Sequence, residues 1–363
     1  MLSSLHRTGL FLGRKGLTLG IALERLARAS EGRRLVEEAG GFTLTYGEAA
    51  DRVDRLAGGI AARTRAGDRV VIAVPNGYDL LLLTLAACRA GAVAVPVNPR
   101  MRPVEIDHVV NDSGASLVVR RADDVLGEPL GRAAVVDPGD VAAILYTSGT
   151  TGLPKGAELT HRALLGQVAA AALWPHRLRR DEAVVGLPVA HIMGFLFLLG
   201  MAVAGVPVYV VPTFQAEEVL DAIESRRATV FVGVPAMYRM LLDAGAERRD
   251  LRSVRLWVSG ADVLPDDLAR RFKRMGASVT LPVLGLSVGE AAFAEGYGMV
   301  ELAGGVAAKV SPPLLPLGIG DFLGFPLPPN RLRVVDDFGR DVGVGQTGEL
   351  WVQGPGGLRG DHG

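Results

Sequence analysis

Helix and strand patterns alternate along most of this 363-residue chain, and that alternation restricts the fold more than any other feature. Several predicted strands, such as 92–97, 206–211 and 229–234, are apolar almost throughout. Strands of this kind are typical of sheets buried on both faces, which are built from parallel βαβ units. The sequence therefore predicts an α/β protein with layered sheets and helices.

Local signals indicate where these elements lie. Thr45 and Glu48 have capping-box spacing, and apolar residues follow them on one helical face. Further helices are predicted at 78–89, 103–110, 160–173, 191–204, 216–227, 236–244 and 266–275. Strands are predicted at 69–74, 92–97, 116–120, 183–187, 206–211, 229–234, 254–259 and 279–283. From about residue 324 the pattern becomes strand, turn and strand, which predicts a small antiparallel unit.

Composition limits the class of protein. A chain of 363 residues exceeds a single hydrophobic core, so two or more subdomains are expected. The 49% hydrophobic and 21% charged residues are those of a globular chain, and a net charge of zero argues against a nucleic-acid partner. Cys88 is the single cysteine, which excludes an intramolecular disulfide framework and favours a core position.

The first forty residues are predicted to form an N-terminal arm. Arg7, Arg14 and Lys15 precede a short apolar stretch, 17–23, which reaches Glu24 without a cleavage site of small residues. We therefore expect a surface arm or amphipathic helix rather than a signal peptide. A peripheral membrane contact is one role that such a helix would have.

The run 192–212 carries no charge and is long enough to cross a bilayer. Gly205 and Pro207 interrupt it, and 208–211 is strand-like. A buried helix followed by a buried strand is therefore the preferred interpretation.

The run 146–156, Tyr-Thr-Ser-Gly-Thr-Thr-Gly-Leu-Pro-Lys-Gly, directly follows an apolar run, 141–145. Glycines let backbone N–H groups turn inward, hydroxyls add donors and Lys155 adds a positive charge, so the loop suits a polyphosphate. It is not a Walker A loop, because Pro154 precedes Lys155 and Gly156 follows it. A flexible Gly/Ser/Thr linker is the alternative interpretation.

This run resembles the phosphate-binding signature of the adenylate-forming superfamily, which includes acyl-CoA synthetases, coumarate ligases, luciferases and peptide-synthetase adenylation domains. Segments 187–191, 258–262, 296–301 and 347–352 resemble further family signatures in the family's order. The similarity extends from about Thr43 to the last residue. The resemblance, strongest to acyl-CoA synthetases, implies two αβα sandwiches and a small β-barrel.

The resemblance also implies a domain arrangement. The expected parts are the arm 1–40, an AMP-binding core 41–323 divided near residue 180, and a β-rich segment 324–363. In the family, a C-terminal domain then supplies the lysine that assists adenylation, and no segment here corresponds to it. We therefore expect the chain to bind nucleotide but to adenylate very slowly by itself.

The resemblance implies ATP and Mg²⁺ as ligands and CoA as co-substrate. The phosphate-binding residues would be Thr147, Ser148, Gly149, Thr150, Thr151, Gly152 and Lys155. The adenine and AMP site would comprise Gly260, Ala261, Asp262, Glu295, Gly296, Tyr297, Gly298, Met299 and Val300. The acyl pocket would comprise His191, Met193, Gly194, Phe195, Gly233, Met237 and Phe293. His191 and Glu301 would be catalytic, with Glu301 as the magnesium ligand.

Each of these assignments has a structural alternative. Tyr297 would otherwise be a core aromatic, Glu301 a solvated glutamate, His191 a neutral core histidine and 260–262 a plain turn. Position 300 departs from the family, which usually has threonine there. A valine methyl facing phosphate oxygens would be unfavourable, so we expect weaker adenylate binding or a compensating donor nearby.

The substrate is expected to be a carboxylic acid without an amino group. Amino-acid-activating relatives usually place an aspartate near the His191 position, whereas 188–200 contains no acidic residue. An unpaired ammonium there would be costly. An aliphatic or aryl acid would fit, and the acceptor is CoA or the phosphopantetheine of a carrier protein. The alternative to a ligase is a non-catalytic protein that binds a nucleotide or an acyl group. We also expect a cytoplasmic location and a homodimer.

Overall fold

The computed structural model describes residues 8–11, 16–98, 100–147, 153–174, 180–281, 286–313, 320, 322–328, 330–354 and 361–362. Its helices are α1 Leu19–Ala27, α2 Tyr46–Ala61, α3 Tyr78–Arg89, α4 Pro103–Asp112, α5 His161–Val168, α6 Ile192–Ala204, α7 Ala216–Arg226, α8 Pro235–Asp243 and α9 Asp266–Met275. Short 3-10 segments lie at Ala122–Val125, Ala169–Leu173, Ala246–Arg248 and Val300–Leu302.

The strands of the first half are β1 Arg34–Glu38, β2 Thr43–Thr45, β3 Arg69–Ile72, β4 Val93–Pro96, β5 Leu117–Val119, β6 Val141–Thr147 and β7 Lys155–Thr160. Those of the second half are β8 Ala183–Val185, β9 Val208–Val210, β10 Val230–Gly233, β11 Leu256–Gly260, β12 Val279–Leu281, β13 Leu286–Val288, β14 Ala292–Met299 and β15 Gly304–Ser311. The last strands are β16 Phe325–Pro326, β17 Arg331–Val335, β18 Glu349–Gln353 and β19 Asp361–His362.

Two mostly parallel sheets organise the chain. One has the order β19-β7-β6-β4-β3-β5, and the other has the order β16-β15-β14-β11-β10-β8-β9-β1-β2. Strands β3 to β7 belong to the first of these sheets, and β8 to β11 belong to the second. The predicted α/β fold class is confirmed. The C-terminal β-rich segment is not a closed barrel within the described residues, because β17 pairs only with β18 in a two-stranded sheet.

Alternation along the strands explains the layers. In β3, Val70 and Ile72 face one apolar cluster, and Val71 faces another on the opposite side of the sheet. In β10, Val232 faces the first of these clusters, and Phe231 faces a third cluster on the opposite side of the sheet. The first cluster includes side chains from both sheets and from α3 and α6, so these helices lie between the sheets and share their core.

Helix α6, Ile192–Ala204, forms the first part of the uncharged run 192–212. It is buried on most sides, and Gly205 ends it in a left-handed conformation with φ 74°. The buried helix and following strand are thus confirmed. Among the described helices, none combines the length and apolar character that crossing a bilayer requires.

From residue 16 onward, the described part of the first forty residues forms an amphipathic helix and a paired strand rather than an exposed arm. Helix α1 packs on α3 so closely that a Cβ at Gly20 would lie 2.7 Å from the backbone of Arg89. The Arg89 side chain is 5% exposed and pairs with Asp54 and Glu24 at 2.6 and 2.8 Å. Strand β1 pairs in parallel with β9. The amphipathic pattern was recognised, but the apolar face is covered by the protein itself.

Buried His161 joins α1 to the first sheet, since its Nδ1 accepts a hydrogen bond from the Leu19 N–H at 3.2 Å. Burial lowers its pKa to about 4, against a smaller opposing effect of Asp140. Between about pH 6.5 and pH 4, His161 is therefore protonated in the unfolded chain but not in the native protein. The free energy of unfolding should fall as the pH falls through this window.

We predict that His161→Asn will remove this fall in the free energy of unfolding, which amounts to at most about 3 kcal/mol. The asparagine oxygen can still accept from Leu19 and does not titrate. Urea unfolding at several pH values measures the effect. An unchanged slope of stability against pH in the variant would contradict this assignment.

Candidate functional site

Cavities between the sheets meet around the start of α6. The cleft cavity, about 540 Å³, is lined by Pro96, Val97, Asn98, Met101, Glu105, Tyr146, Thr147, Pro154, Leu187, Pro188, Ala190, His191, Met193, Gly194, Val234, Met237 and Ala261. The helix cavity, about 320 Å³, is lined by Gln167, Val168, Ala171, His191, Ile192, Met193, Leu196, Phe197, Gly200, Met201, Val232, 258–261, 296–299, Gly304, Gly305 and Leu327.

The hairpin cavity lies against the β14–β15 hairpin and has a volume of about 560 Å³. It is lined by Ala261, Asp262, Val263, Leu264, Glu295, Gly296, Tyr297, Gly298, Lys309, Gly320, Phe322 and Leu323. Ala261 lines all three cavities, and His191 lines both the cleft and helix cavities. The predicted acyl, adenine and phosphate segments therefore converge on one region.

The convergence point lies at the carboxyl ends of parallel strands, where ligands commonly bind in open α/β sheets. The parallel register of β11 and β14 sets Gly260 opposite Gly296. A Cβ at Gly260 would lie 3.1 Å from the Gly296 carbonyl oxygen, and one at Gly296 would meet nothing within 4 Å. Ala261 has φ 70°, which is rare for a residue with a side chain. This backbone leaves open space beside the sheet.

His191 is the N-cap of α6, and its Nδ1 accepts a hydrogen bond from the Met193 N–H at 3.3 Å. The ring is accessible from the cavities, yet the surrounding protein lowers its pKa by desolvation. The neutral ring therefore carries its proton on Nε2. That N–H is a donor for an oxygen atom at the junction of the cleft and helix cavities.

The ends of the predicted phosphate loop lie side by side at the mouth of the cleft cavity. Thr147 ends β6, and Lys155 begins β7 directly opposite it. Lys155 is exposed, and no described residue pairs with its ammonium group. Ser148, Gly149, Thr150, Thr151 and Gly152 fall outside the described residues.

Helix α4 contacts both flanks of that loop. The Tyr146 hydroxyl donates to Asp112 Oδ2 at 2.6 Å, and burial together with Asp112 raises the pKa of this tyrosine. His108 Nε2 lies 3.0 Å from the Pro154 carbonyl oxygen and therefore donates to it. Neither contact was predicted, because the spacing along the chain gives no sign of it.

Glu301 lies in the 3-10 segment Val300–Leu302, which contacts β7. Its carboxylate is half-buried, and no described residue pairs with it. Within the described residues there is no group of three or more His, Cys, Asp or Glu that could hold a metal. A carboxylate beside β7 with no partner among the described residues fits Mg²⁺, which is usually held by one or two carboxylates together with phosphate oxygens.

Val300 does not line any of these cavities. Its side chain is 6% exposed and packs in the shared core. The expected effect of this valine on nucleotide binding stays a prediction. Met299, the preceding residue, lines the helix cavity instead.

Polar groups concentrate at the hairpin cavity. Glu295 pairs with Lys309 Nζ at 3.2 Å, and burial raises the pKa of the glutamate more than the lysine lowers it. Asp262 Oδ1 accepts from the Val263 N–H at 2.7 Å. Tyr297 is half-buried on the same wall. Lys309 was missed, although a lone lysine in an apolar strand was a usable signal.

The predicted acyl pocket divides into two groups. His191, Met193, Gly194 and Met237 line the helix or cleft cavity. Phe195, Gly233 and Phe293 line neither one. Phe195 belongs to the shared core, and Phe293 packs on Tyr238 with ring centroids 5.4 Å apart. Gln167 and Leu327 were missed, because they come from elements distant in sequence.

Comparison with known proteins identifies the family. Residues 23–133 and 120–360 match the family model described as AMP-binding enzyme. This chain belongs to that family. A feruloyl-CoA synthase from an Amycolatopsis species is 34% identical over 349 residues, covering 88% of this chain and 67% of that protein.

A fatty acid–[acyl-carrier-protein] ligase from Streptomyces coeruleorubidus is 29% identical, covering 87% of this chain and 65% of that protein. The chain thus spans about two thirds of the length of these relatives. The crystal structure of a long-chain-fatty-acid–CoA ligase from Archaeoglobus fulgidus shares the fold. Its TM-score is 0.82 at 24% identity, covering 96% of this chain and 77% of that one.

We predict that Val300→Thr will lower the free energy of unfolding by about 1–2 kcal/mol, because it buries a hydroxyl in an apolar core. Val310→Thr is the matched control, since Val310 lies on β15 and is 55% exposed. Its effect should stay below about 0.5 kcal/mol. Equal effects in urea unfolding would show that Val300 is not packed as described.

Proposed function

We propose that this chain carries the nucleotide and acid sites of an acid–thiol ligase, which activates a carboxylic acid with ATP and passes the acyl group to a thiol. The observation that supports this best is the meeting of the hairpin, helix and cleft cavities at Ala261, with His191 between the last two. A nucleotide, an acid and a thiol can each occupy one cavity and still touch the same reacting carbon.

ATP would occupy the hairpin cavity and the phosphate loop. The adenine would lie against Tyr297 and the backbone at Gly296, where no Cβ intervenes. The β- and γ-phosphates would extend to Thr147 and Lys155. The Lys155 ammonium pairs with no described residue and offers positive charge. Both reactants are anions, so this charge lowers the barrier to bringing them together.

The acid would occupy the helix cavity, with its carboxylate near His191. None of the described residues lining this cavity carries a formal charge, which suits an acid without an amino group. A carboxylate oxygen would attack the α-phosphorus as the bond to the bridging oxygen of pyrophosphate breaks. The His191 Nε2–H would donate to an acyl or phosphate oxygen and hold the adenylate in place.

Mg²⁺ would be held by the Glu301 carboxylate beside β7, and when bound it would neutralise charge on the phosphates. In the second step the thiol would lose its proton to solvent and its sulfur would attack the acyl carbon. AMP would leave with the electrons of the acyl–oxygen bond. The cleft cavity reaches His191 from the other side and offers a route for the thiol.

The acceptor is CoA or the phosphopantetheine of a carrier protein. One relative is named for each of these acceptors, so the comparison favours neither. Cytoplasmic location, homodimerisation and peripheral membrane contact stay predictions, which fractionation, light scattering and vesicle sedimentation can test. The domain limits at 40, 180 and 323 stay proposals, to be tested by limited proteolysis.

We predict that Lys155→Ala and Glu301→Gln will each weaken binding of ATP with magnesium by about tenfold or more. Lys155 loses charge-assisted bonds to phosphate, and Glu301 loses the metal ligand. Calorimetry measures both, and the Glu301 variant should also lose the dependence of affinity on magnesium. Glu349→Gln is the control, because Glu349 lies on exposed β18 away from the cavities. Full affinity in both site variants would refute the nucleotide site.

Acyl-sulfamoyladenosines, in which a sulfamoyl group replaces the phosphate of the adenylate, test the acid site without turnover. We predict that His191→Leu will weaken their binding by about tenfold and that His191→Asn, which keeps a donor and an N-cap, will weaken it less. Because the His191 pKa is lowered, binding should show no inflection at or above about pH 6.5. Such an inflection, abolished by His191→Leu, would contradict a neutral donor.

A further inference from the structure

A further cavity lies at the end of the second sheet that is remote from the proposed reaction site. This arginine pocket, about 370 Å³ in volume, is lined by Arg33, Arg34, Arg180, Asp181, Glu182, Gly205, Val206, Pro207, Arg226 and Arg227. Its residues lie at or shortly before the starts of β1, β8, β9 and β10, which run parallel to one another. Helix α6 extends from His191 towards this pocket, and its 13 residues span roughly 20 Å. The pocket is therefore separate from the cavities that meet at Ala261.

Part of the pocket wall is a network of ion pairs. Arg34 pairs with Glu37 and Glu182 at 3.1 and 2.7 Å. Arg226 pairs with the same two carboxylates at 2.6 and 2.9 Å. The Arg226 guanidinium also stacks on the Tyr209 ring, 4.2 Å from its centroid. Each charged group of this network contacts two others, so this wall is held in place and its charges cancel.

The other acidic side chain of the lining is also neutralised. Asp181 pairs with Arg255 at 3.0 Å, and only 2% of the aspartate side chain is exposed. Asp181 also accepts a hydrogen bond from Trp174 Nε1 at 2.9 Å. Both carboxylates that line the pocket are therefore engaged by arginines and do not repel an anion as unpaired charges would.

The remaining arginines are not balanced in this way. Arg33 Nη2 donates to the Gly205 carbonyl oxygen at 2.9 Å, and its guanidinium forms no ion pair with a described residue. Arg180 is exposed, and its side chain has no hydrogen-bond or ion-pair partner in the part of the chain that the structure describes. Arg227 reaches only Asp250, at 3.9 Å. Guanidinium N–H donors are therefore available at the pocket from more than one chain segment.

The pocket collects positive charge in a chain that has none overall. Among its lining residues and their ion-pair partners, six guanidinium groups accompany four carboxylates, which gives a formal charge of +2. The formal net charge of the whole chain is zero. A concave site lined by one sign of charge raises the local concentration of ions of the opposite sign.

We propose that the arginine pocket binds a phosphate monoester group, carried by a small soluble molecule or by phosphatidic acid at a membrane surface. A phosphate monoester has close to two negative charges at pH 7 and three acceptor oxygens, which matches the charge of the pocket and its several donors. A carboxylate offers one charge and two oxygens. Arg33 and Arg180 would bind the phosphate oxygens, because a guanidinium fork fits phosphate bidentately. This proposal does not rest on the function proposed above.

The first test titrates the chain with glycerol 3-phosphate, a soluble phosphate monoester, by calorimetry at low salt. We expect Arg33→Gln and Arg180→Gln each to weaken binding by about fivefold or more, because each loses charge-assisted bonds. Arg180→Lys, which keeps the charge but not the fork, should weaken it less. Arg120→Gln is the matched control, since Arg120 is exposed directly after β5 in the first sheet. Urea unfolding of each variant checks that its stability is unchanged.

The second test sediments the chain with phosphatidylcholine vesicles that contain either phosphatidic acid or phosphatidylglycerol. The phosphate of the first lipid is a monoester, and that of the second is a diester with a single charge. If the phosphate group comes from a membrane, the chain should bind the phosphatidic acid vesicles several-fold better, and both glutamine variants should lose this preference. Equal sedimentation with the two lipids reflects surface charge and counts as no binding by the pocket.

Binding in either test that Arg33→Gln and Arg180→Gln weaken supports the proposal, and the test that shows it identifies the source of the phosphate. Absence of binding in both tests, or binding that survives both substitutions, overturns the proposal. The affinity for ATP with magnesium should stay unchanged in both variants, because the nucleotide site lies at the other end of the sheet. Failure of the arginine pocket is thus distinguishable from failure of the proposed function.

Discussion

The parallel pairing of β11 with β14 is the constraint on which the rest of the site depends. Its register sets Gly260 opposite Gly296. A side chain at Gly296 would enter open space, whereas one at Gly260 would meet the Gly296 carbonyl and Met193. Antiparallel pairing of β14 with β15 then places Gly298 opposite Gly305. A slip of one residue would turn every side chain to the other face and close this space.

The central helix α6 supplies the complementary half. It is apolar nearly all round because both sheets cover it, and it carries His191 at its start. Its burial fixes the helix, so His191 and the α6 side chains that line the helix cavity hold one position relative to the glycines of β11, β14 and β15. The same residues therefore serve the core and the site. This explains why an uncharged run long enough to resemble a membrane span lies inside the protein.

Local sequence signals predicted most elements correctly. The capping box at Thr45 forms, α3 and α9 have the predicted bounds, and the buried strands lie in parallel sheets. Strands β14 and β15 were not predicted as strands, since glycines weaken the strand pattern. The predicted helix 160–173 ends as an α-helix at Val168 and continues as a 3-10 segment. The amphipathic helix near the N-terminus was one of two predicted alternatives, and the sequence could not show what covers its apolar face, because such a face indicates that a partner exists but not which one.

The sequence by itself determined the fold class, the family and the segments that would form the site, because glycines, hydroxyls and charges at fixed spacings are local properties. Only the tertiary structure decided which residues share a wall. It moved Val300, Phe195 and Phe293 into the core, and it brought Gln167 and Lys309 to the cavities. Those placements depend on strand register and helix packing between residues far apart in the chain, which no local pattern encodes.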